Sequence, residues 1–134
     1  MKVLNIKPLS LNNVYVTARN GRRFLSKEGK EYKRFIINQL KHYSFPFHEN
    51  QYITLNVKFF LSDMMTKSGR IRKKRHDLDD FLKLFIDALC EGLGVPDDSF
   101  IANINCSKRP SSINLIMFDI HAHELDASFN TLKQ

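Results

Sequence analysis

The sequence predicts an α+β fold, a mixed β-sheet packed against two main helices, and three observations carry that expectation. Ile53, Leu55, Val57, Phe59 and Leu61 alternate strictly with other residues, the signature of a strand with one buried face. Two other segments repeat their apolar residues at steps of three and four, as one face of a helix requires. Shorter apolar runs bounded by turn residues supply the remaining strands.

Taken in order, Val3 to Ile6 reads as a short strand, and Val14 to Leu25 as a hairpin turning at Asn20-Gly21, a dipeptide that tolerates the positive φ of a tight turn. Ser26 offers a cap to a helix over Lys27 to about Tyr43, with Tyr32, Phe35, Ile36 and Leu40 inward and Lys30, Lys33 and Lys41 on the other face. Pro46 ends any helical tendency before the alternating strand. From Ser62 to Arg75 the apolar pattern vanishes, and an exposed, mobile basic loop over about 62–76 is expected. Leu78, Phe81, Leu82, Phe85 and Leu89 predict a second helix from about Leu78 to Glu91, ended by Gly92. Phe100 to Lys108 and Ile113 to His121 read as strands separated by Arg109-Pro110-Ser111-Ser112, and the tail from about Ala122 is expected to fray.

With 134 residues, 43% apolar and eleven Phe among them, the chain is sized for a single domain spanning 1–134. Lys and Arg outnumber Asp and Glu by 21 to 14, so the formal charge is +7 and the pI about 9.5. Such a field attracts polyanions, nucleic acid first among them. The two cysteines, Cys90 and Cys106, form neither a disulfide framework nor a zinc spacing and are expected to be buried small hydrophobes, which fits a reducing cytoplasm. No segment has the apolar length of a membrane span, and the first residues lack the apolar stretch of a secretion signal, so no membrane partner is expected.

The chemistry concentrates in Arg72-Lys73-Lys74-Arg75-His76-Asp77-Leu78-Asp79-Asp80, a cationic cluster running directly into three carboxylates at a helix start. Two readings compete. Asp77 can be an N-cap, with Asp79 and Asp80 facing the positive end of the helix dipole for about 0.3–1 kcal/mol each. Alternatively, the acids join the pair Asp97-Asp98, which follows the same helix, around a divalent cation; hard carboxylate oxygens suit magnesium or manganese. That union requires tertiary folding to bring the second pair back to the helix start. A metal so held would activate water and neutralise charge developing on a phosphodiester. Lys83, one turn beyond Asp79, either adds positive charge near the scissile phosphate or forms an ion pair with Asp79 or Asp87. Lys67, Arg70, Arg72, Lys73, Lys74 and Arg75 are candidate phosphate contacts, and His76 is not assigned to the metal.

The run Arg75-His76-Asp77-Leu78-Asp79-Asp80-Phe81-Leu82-Lys83, then Asp87-Ala88-Leu89, then Asp97-Asp98, resembles the signature of the RusA family of Holliday junction resolvases, D-x-D-N-x-x-K followed by D-A-L and D-D. Asn12-Asn13-Val14-Tyr15, Arg22-Arg23, Ser26-Lys27-Glu28-Gly29 and Tyr32 are similar to that family too, so the likeness spans roughly the first three-quarters of the chain. The resemblance implies a magnesium-dependent endonuclease, manganese substituting, that resolves four-way junctions by paired cuts as a homodimer, in a bacterial or phage setting. It matches Asp77, Asp79 and Asp98 to the essential acids and Lys83 to the functional lysine, with Asp97 as a helper. Asp80 departs from the pattern, standing where the family commonly has Asn, and is a second possible helper. A nuclease acting on flaps or forks, or a non-catalytic DNA-binding module whose acids only cap a helix, are the alternatives.

Overall fold

The computed structural model describes residues 1–11, 14–72 and 77–124. In chain order its elements are β1 (Lys2–Leu4), β2 (Tyr15–Thr17), β3 (Arg23–Leu25), α1 (Lys27–Leu40), β4 (Gln51–Leu61), α2 (Leu78–Leu93), β5 (Ile101–Pro110) and β6 (Leu115–Glu124). One sheet has the order β1-β6-β4-β5, with β4 and β5 parallel and the other pairs antiparallel; β2 and β3 form a separate ribbon. The expected α+β architecture is thus present.

The alternation in β4 does what its period dictates. Ile53, Leu55, Val57, Phe59 and Leu61 are buried, and the β6 partners Ile116, Phe118 and Ile120 lie on the same face in register with Phe59, Val57 and Leu55. Onto this face α2 packs its apolar stripe: Phe81 and Phe85 stand 5.8 and 5.9 Å from the Phe59 ring, and Phe85 is 5.5 Å from Phe118. The other face of the sheet mixes apolar residues, among them Val3, Phe60, Leu115 and Met117, with polar ones. Asn105 donates to Asn56 at 2.8 Å and Asn56 donates to Asp119 at 2.7 Å, a rung across β5, β4 and β6.

Ser26 caps α1, its hydroxyl accepting from the Gly29 amide. The helix stops at Leu40, a turn short of Tyr43, which remains tied by a backbone bond to the Leu40 carbonyl. The end of α2 also differs from the expectation. Gly92 lies inside the helix against Leu40 of α1, and the helix continues to Leu93, where Gly94 takes the left-handed conformation (φ 76°) that closes it. At the carboxyl end, Ala122, His123 and Glu124 belong to β6, because they pair with Ile53, Tyr52 and Gln51; the remainder of the expected frayed tail lies outside the described residues. β1 is shorter than expected and β6 begins at Leu115, since Ile113 sits in the preceding turn, its amide bonded to the Ser111 hydroxyl. No helix among the described residues is long and apolar enough to cross a membrane.

Candidate metal centre

The β4–α2–β5 connection sets the geometry of the acids. Because β5 runs parallel to β4 and starts beside it, Ile101 pairing with Ile53, α2 must travel back along the sheet. Its first turn therefore stands at the Leu61 end of β4, as Phe81 against Phe59 shows, and its last turn at the Ile53 end. α1 runs alongside in the same direction: Gly92 of α2 meets Ile37 and Leu40 at one end. At the other end Glu28, Leu61, Asp63 and Phe81 line a common cleft of about 110 Å³.

Asp77 occupies the N-cap position of α2 with extended backbone, and its carbonyl accepts the Asp80 amide at 3.2 Å. Its side chain, however, makes no capping hydrogen bond. The capping explanation for this carboxylate is thereby removed. Asp79 and Asp80 follow in the first turn, and oxygens of all three lie within 4.8 Å of one another, Asp77 and Asp79 exposed and Asp80 half-buried. At that spacing each pair of like charges repels by about 1 kcal/mol even in water. The positive end of the helix dipole offsets part of this, and a divalent cation would reverse it. Three hard oxygen donors on a solvent-accessible turn fit an ion that keeps several of its waters, as magnesium does. Asp80, read from sequence only as a helper, is a full member of the group; adjacency to Asp79 at the helix start was the available signal.

Asp98 stands elsewhere. It opens a single 3₁₀ turn, Asp98–Phe100, that leads into β5, and its charge reaches Cys90 in the last turns of α2. The α2 axis alone separates that end from Asp79 by about 20 Å, at roughly 1.5 Å per residue. Within one chain, then, Asp98 does not join Asp77, Asp79 and Asp80. Asp97 serves its own turn, where its carboxylate accepts from the Ser99 amide at 2.8 Å and from the Ser99 hydroxyl, capping the 3₁₀ segment. These bonds hold the Asp97 carboxyl below its usual range.

Lys83 is exposed one turn beyond Asp79 and, among the described residues, forms no ion pair with Asp79 or Asp87. Lys67, Arg70 and Arg72 are exposed as expected, but their segment is more ordered than a featureless loop. A bridge joins Met65 to Ile71, the Thr66 amide donates to the Arg70 carbonyl at 2.7 Å, and the Arg72 amide donates to the Met64 carbonyl at 3.1 Å. This small turn projects from the Leu61 end, where the acidic cluster also lies. Lys73, Lys74, Arg75 and His76, like Asn12 and Asn13, lie outside the described residues.

Residues 5–120 match the model of the family described as Endodeoxyribonuclease RusA. The chain belongs to this family. The match runs through the ribbon, both helices, the acidic turn and Asp98, and leaves out β1 and the last residues of β6. A comparison with curated proteins found none that matches. RusA membership makes the chain an endodeoxyribonuclease of the Holliday-junction-resolving class, whose substrate is branched DNA.

Proposed function

We propose that this RusA-family chain hydrolyses phosphodiesters of four-way DNA junctions with magnesium, manganese substituting, held by Asp77, Asp79 and Asp80 in the first turn of α2. One observation carries the reading: three carboxylates converge within 4.8 Å although Asp77 has no capping bond to hold it there. The bound cation would supply charge neutralisation and a more acidic water. Asp77 and Asp79, being exposed, keep the centre open to a DNA phosphate, and half-buried Asp80 anchors it from the protein side. Lys83, without a carboxylate partner among the described residues, is available to the phosphate one helical turn away. Lys67, Arg70 and Arg72, with Lys73, Lys74 and Arg75, hold the backbone beside it.

The chain acts as a homodimer, and the position of Asp98 gives that a chemical reason. An acid some 20 Å from the cluster in its own chain can serve a shared centre only across a two-fold interface, where the partner's Asp98 meets Asp77 and Asp79. Two such centres would also give the paired, symmetric cuts that resolution requires.

The test is cleavage of a mobile four-way junction with magnesium, products mapped on all four strands. Wild type should make paired cuts, and Asp79→Asn should bind without cutting. A co-expressed heterodimer of Asp79→Asn and Asp98→Asn separates the two placements of Asp98. If Asp98 acts in trans, one centre carries both lesions and the other none, so single nicks return. A heterodimer as inactive as either parent defeats the shared-centre arrangement. Intact junctions with wild-type protein at every magnesium and manganese concentration defeat the catalytic assignment itself.

A further inference from the structure

The β2–β3 ribbon takes no part in the acidic centre, yet its surface is unusual. Val16 and Phe24 are directly paired across the two strands and point to the same side, 44% and 45% exposed. The opposite side carries Tyr15 and Leu25, packed on the core, with the Arg23 guanidinium 5.0 Å above the Tyr15 ring. A single exposed apolar side chain needs no explanation, but a cross-strand aromatic–aliphatic pair is a small apolar platform. Beside it in the ribbon stand Arg19 and Arg22, both exposed and, among the described residues, without an ion pair. From Val14 to Leu25 the sequence holds no acid at all.

The ribbon is also firmly built. The Ala18 amide donates to the Arg22 carbonyl at 2.8 Å, the Gly21 amide to the Ala18 carbonyl at 3.0 Å, and the Arg22 amide to the Asn20 side chain at 3.0 Å. Its base is tied by the Ser26 amide to the Val14 carbonyl, immediately before α1. Since the start of α1 shares a cleft with Leu61, Asp63 and Phe81, the ribbon leaves the body at the end that carries the acidic turn and the basic 64–72 turn.

We propose that this ribbon is a second DNA-contacting element, in which Phe24 with Val16 stacks on bases exposed where strands part and Arg19 and Arg22 hold the flanking phosphates. The proposal rests on the branched-DNA reading above. An aromatic face bordered by guanidiniums is the combination that binds unpaired bases without regard to sequence. A second copy of the chain is the poorer occupant, because a two-fold contact through this face of the ribbon would bring the four guanidiniums of Arg19 and Arg22 together with no acid between them. Stacking on the ribbon also gives selectivity for a branch a physical origin, since a fully stacked duplex offers no base face to Phe24.

Equilibrium binding in EDTA, by fluorescence anisotropy on a labelled four-way junction and on linear duplex of the same length, tests it. Phe24→Ala should weaken junction binding roughly tenfold, within the range for losing one stacked base, and leave duplex binding within about twofold. Phe24→Tyr, which keeps the aromatic face, should restore the junction affinity, and Phe24→Leu, which keeps the apolar bulk and the fold, should not. Arg19→Gln and Arg22→Gln should each flatten the salt dependence on the junction, by about 0.9 in the logarithmic slope. Equal losses on both DNAs, no loss on either, or rescue by Leu as good as by Tyr overturns the proposal. So does a drop in sedimentation coefficient with Phe24→Ala, which would make the pair a contact between copies. If wild type cuts junctions while the ribbon variants bind as it does, this inference alone falls; if wild type neither binds nor cuts branched DNA, the function falls with it.

Discussion

Gly92 and Leu40 are in contact: a Cβ placed on Gly92 would stand 2.9 Å from the Leu40 Cδ1 and 3.2 Å from its Cβ, with the Ile37 Cα at 3.4 Å. The glycine is what lets α1 and α2 approach at their carboxyl ends. Replacing glycine by alanine inside a helix ordinarily gains about 1 kcal/mol. Here the buried Leu40 must give way, so Gly92→Ala should lose that gain and Gly92→Leu should destabilise the chain by about 1–3 kcal/mol. Gly94 has open space around it but a φ of 76°, so Gly94→Ala should cost about 1 kcal/mol through backbone strain alone. Urea unfolding of the three variants checks both statements. A stabilised Gly92→Ala would show that the helices are free to move apart.

The same pair shows how far the sequence could be read. Periodicity was sufficient for β4, α1 and the start of α2, because in each the buried face recurs at its own regular spacing. It could not choose between Gly92 and Gly94 as the end of α2, since that choice depends on Leu40, fifty-two positions earlier and on another helix. The acids divide in the same way. Asp77, Asp79 and Asp80 are neighbours in the chain, so their convergence was legible locally. The location of Asp98 depends on β5 lying parallel to β4, a pairing that no pattern within the segment encodes. The apolar side of the ribbon was likewise hidden, because Val16 and Phe24 look like any strand residues until their side of the ribbon proves uncovered.

Burial pushes the Cys90 thiol up to about 11, with the charges of Asp98, Asp87 and Asp97 adding to it, and burial alone does the same for Cys106. Both thiols are therefore protonated at neutral pH, and a thiolate-dependent aromatic disulfide reagent should react slowly with the native protein and rapidly once it is unfolded in urea. The linkage has a definite sign. In the unfolded chain each thiol deprotonates near 9.0, so between about pH 9 and 11 the native state binds more protons and stability falls as pH rises. Cys90→Ala should make the decline shallower over that window and leave stability below pH 8 without this slope. Identical pH profiles for wild type and Cys90→Ala would contradict the shift.

Lys67 and Arg70 lie on a turn whose hydrogen bonds are made by Thr66 and the backbone, not by the basic side chains. Neutralising them should leave the turn folded. Lys67→Gln with Arg70→Gln should then reduce the slope of log affinity against log salt by up to about 1.8, or 0.9 for each phosphate no longer held, on duplex and junction alike. Filter binding across a salt series gives the slope directly. An unchanged slope would mean that the turn faces away from the DNA.

The acidic turn makes opposite predictions with and without a divalent cation. In EDTA, Asp79→Asn removes two close repulsions of about 1 kcal/mol each in water, less with salt, and forfeits a dipole interaction of about 0.3–1 kcal/mol. The variant should thus be as stable as wild type, or slightly more so. Adding magnesium should stabilise wild type by mass action, by about 1.4 kcal/mol when the free ion is tenfold above its dissociation constant, which raises the melting temperature by a few degrees. Asp79→Asn should lose most of that response, and Lys83→Gln should keep it, because Lys83 is proposed to meet the phosphate and not the ion. Thermal melts of the three proteins in EDTA and in graded magnesium read the sign of each effect without any DNA present. A wild type indifferent to magnesium would point to a centre that forms only when two copies and the DNA come together. An Asp79→Asn variant less stable than wild type in EDTA would instead mean that the carboxylate supports the helix start, and the acidic turn would return to a structural role.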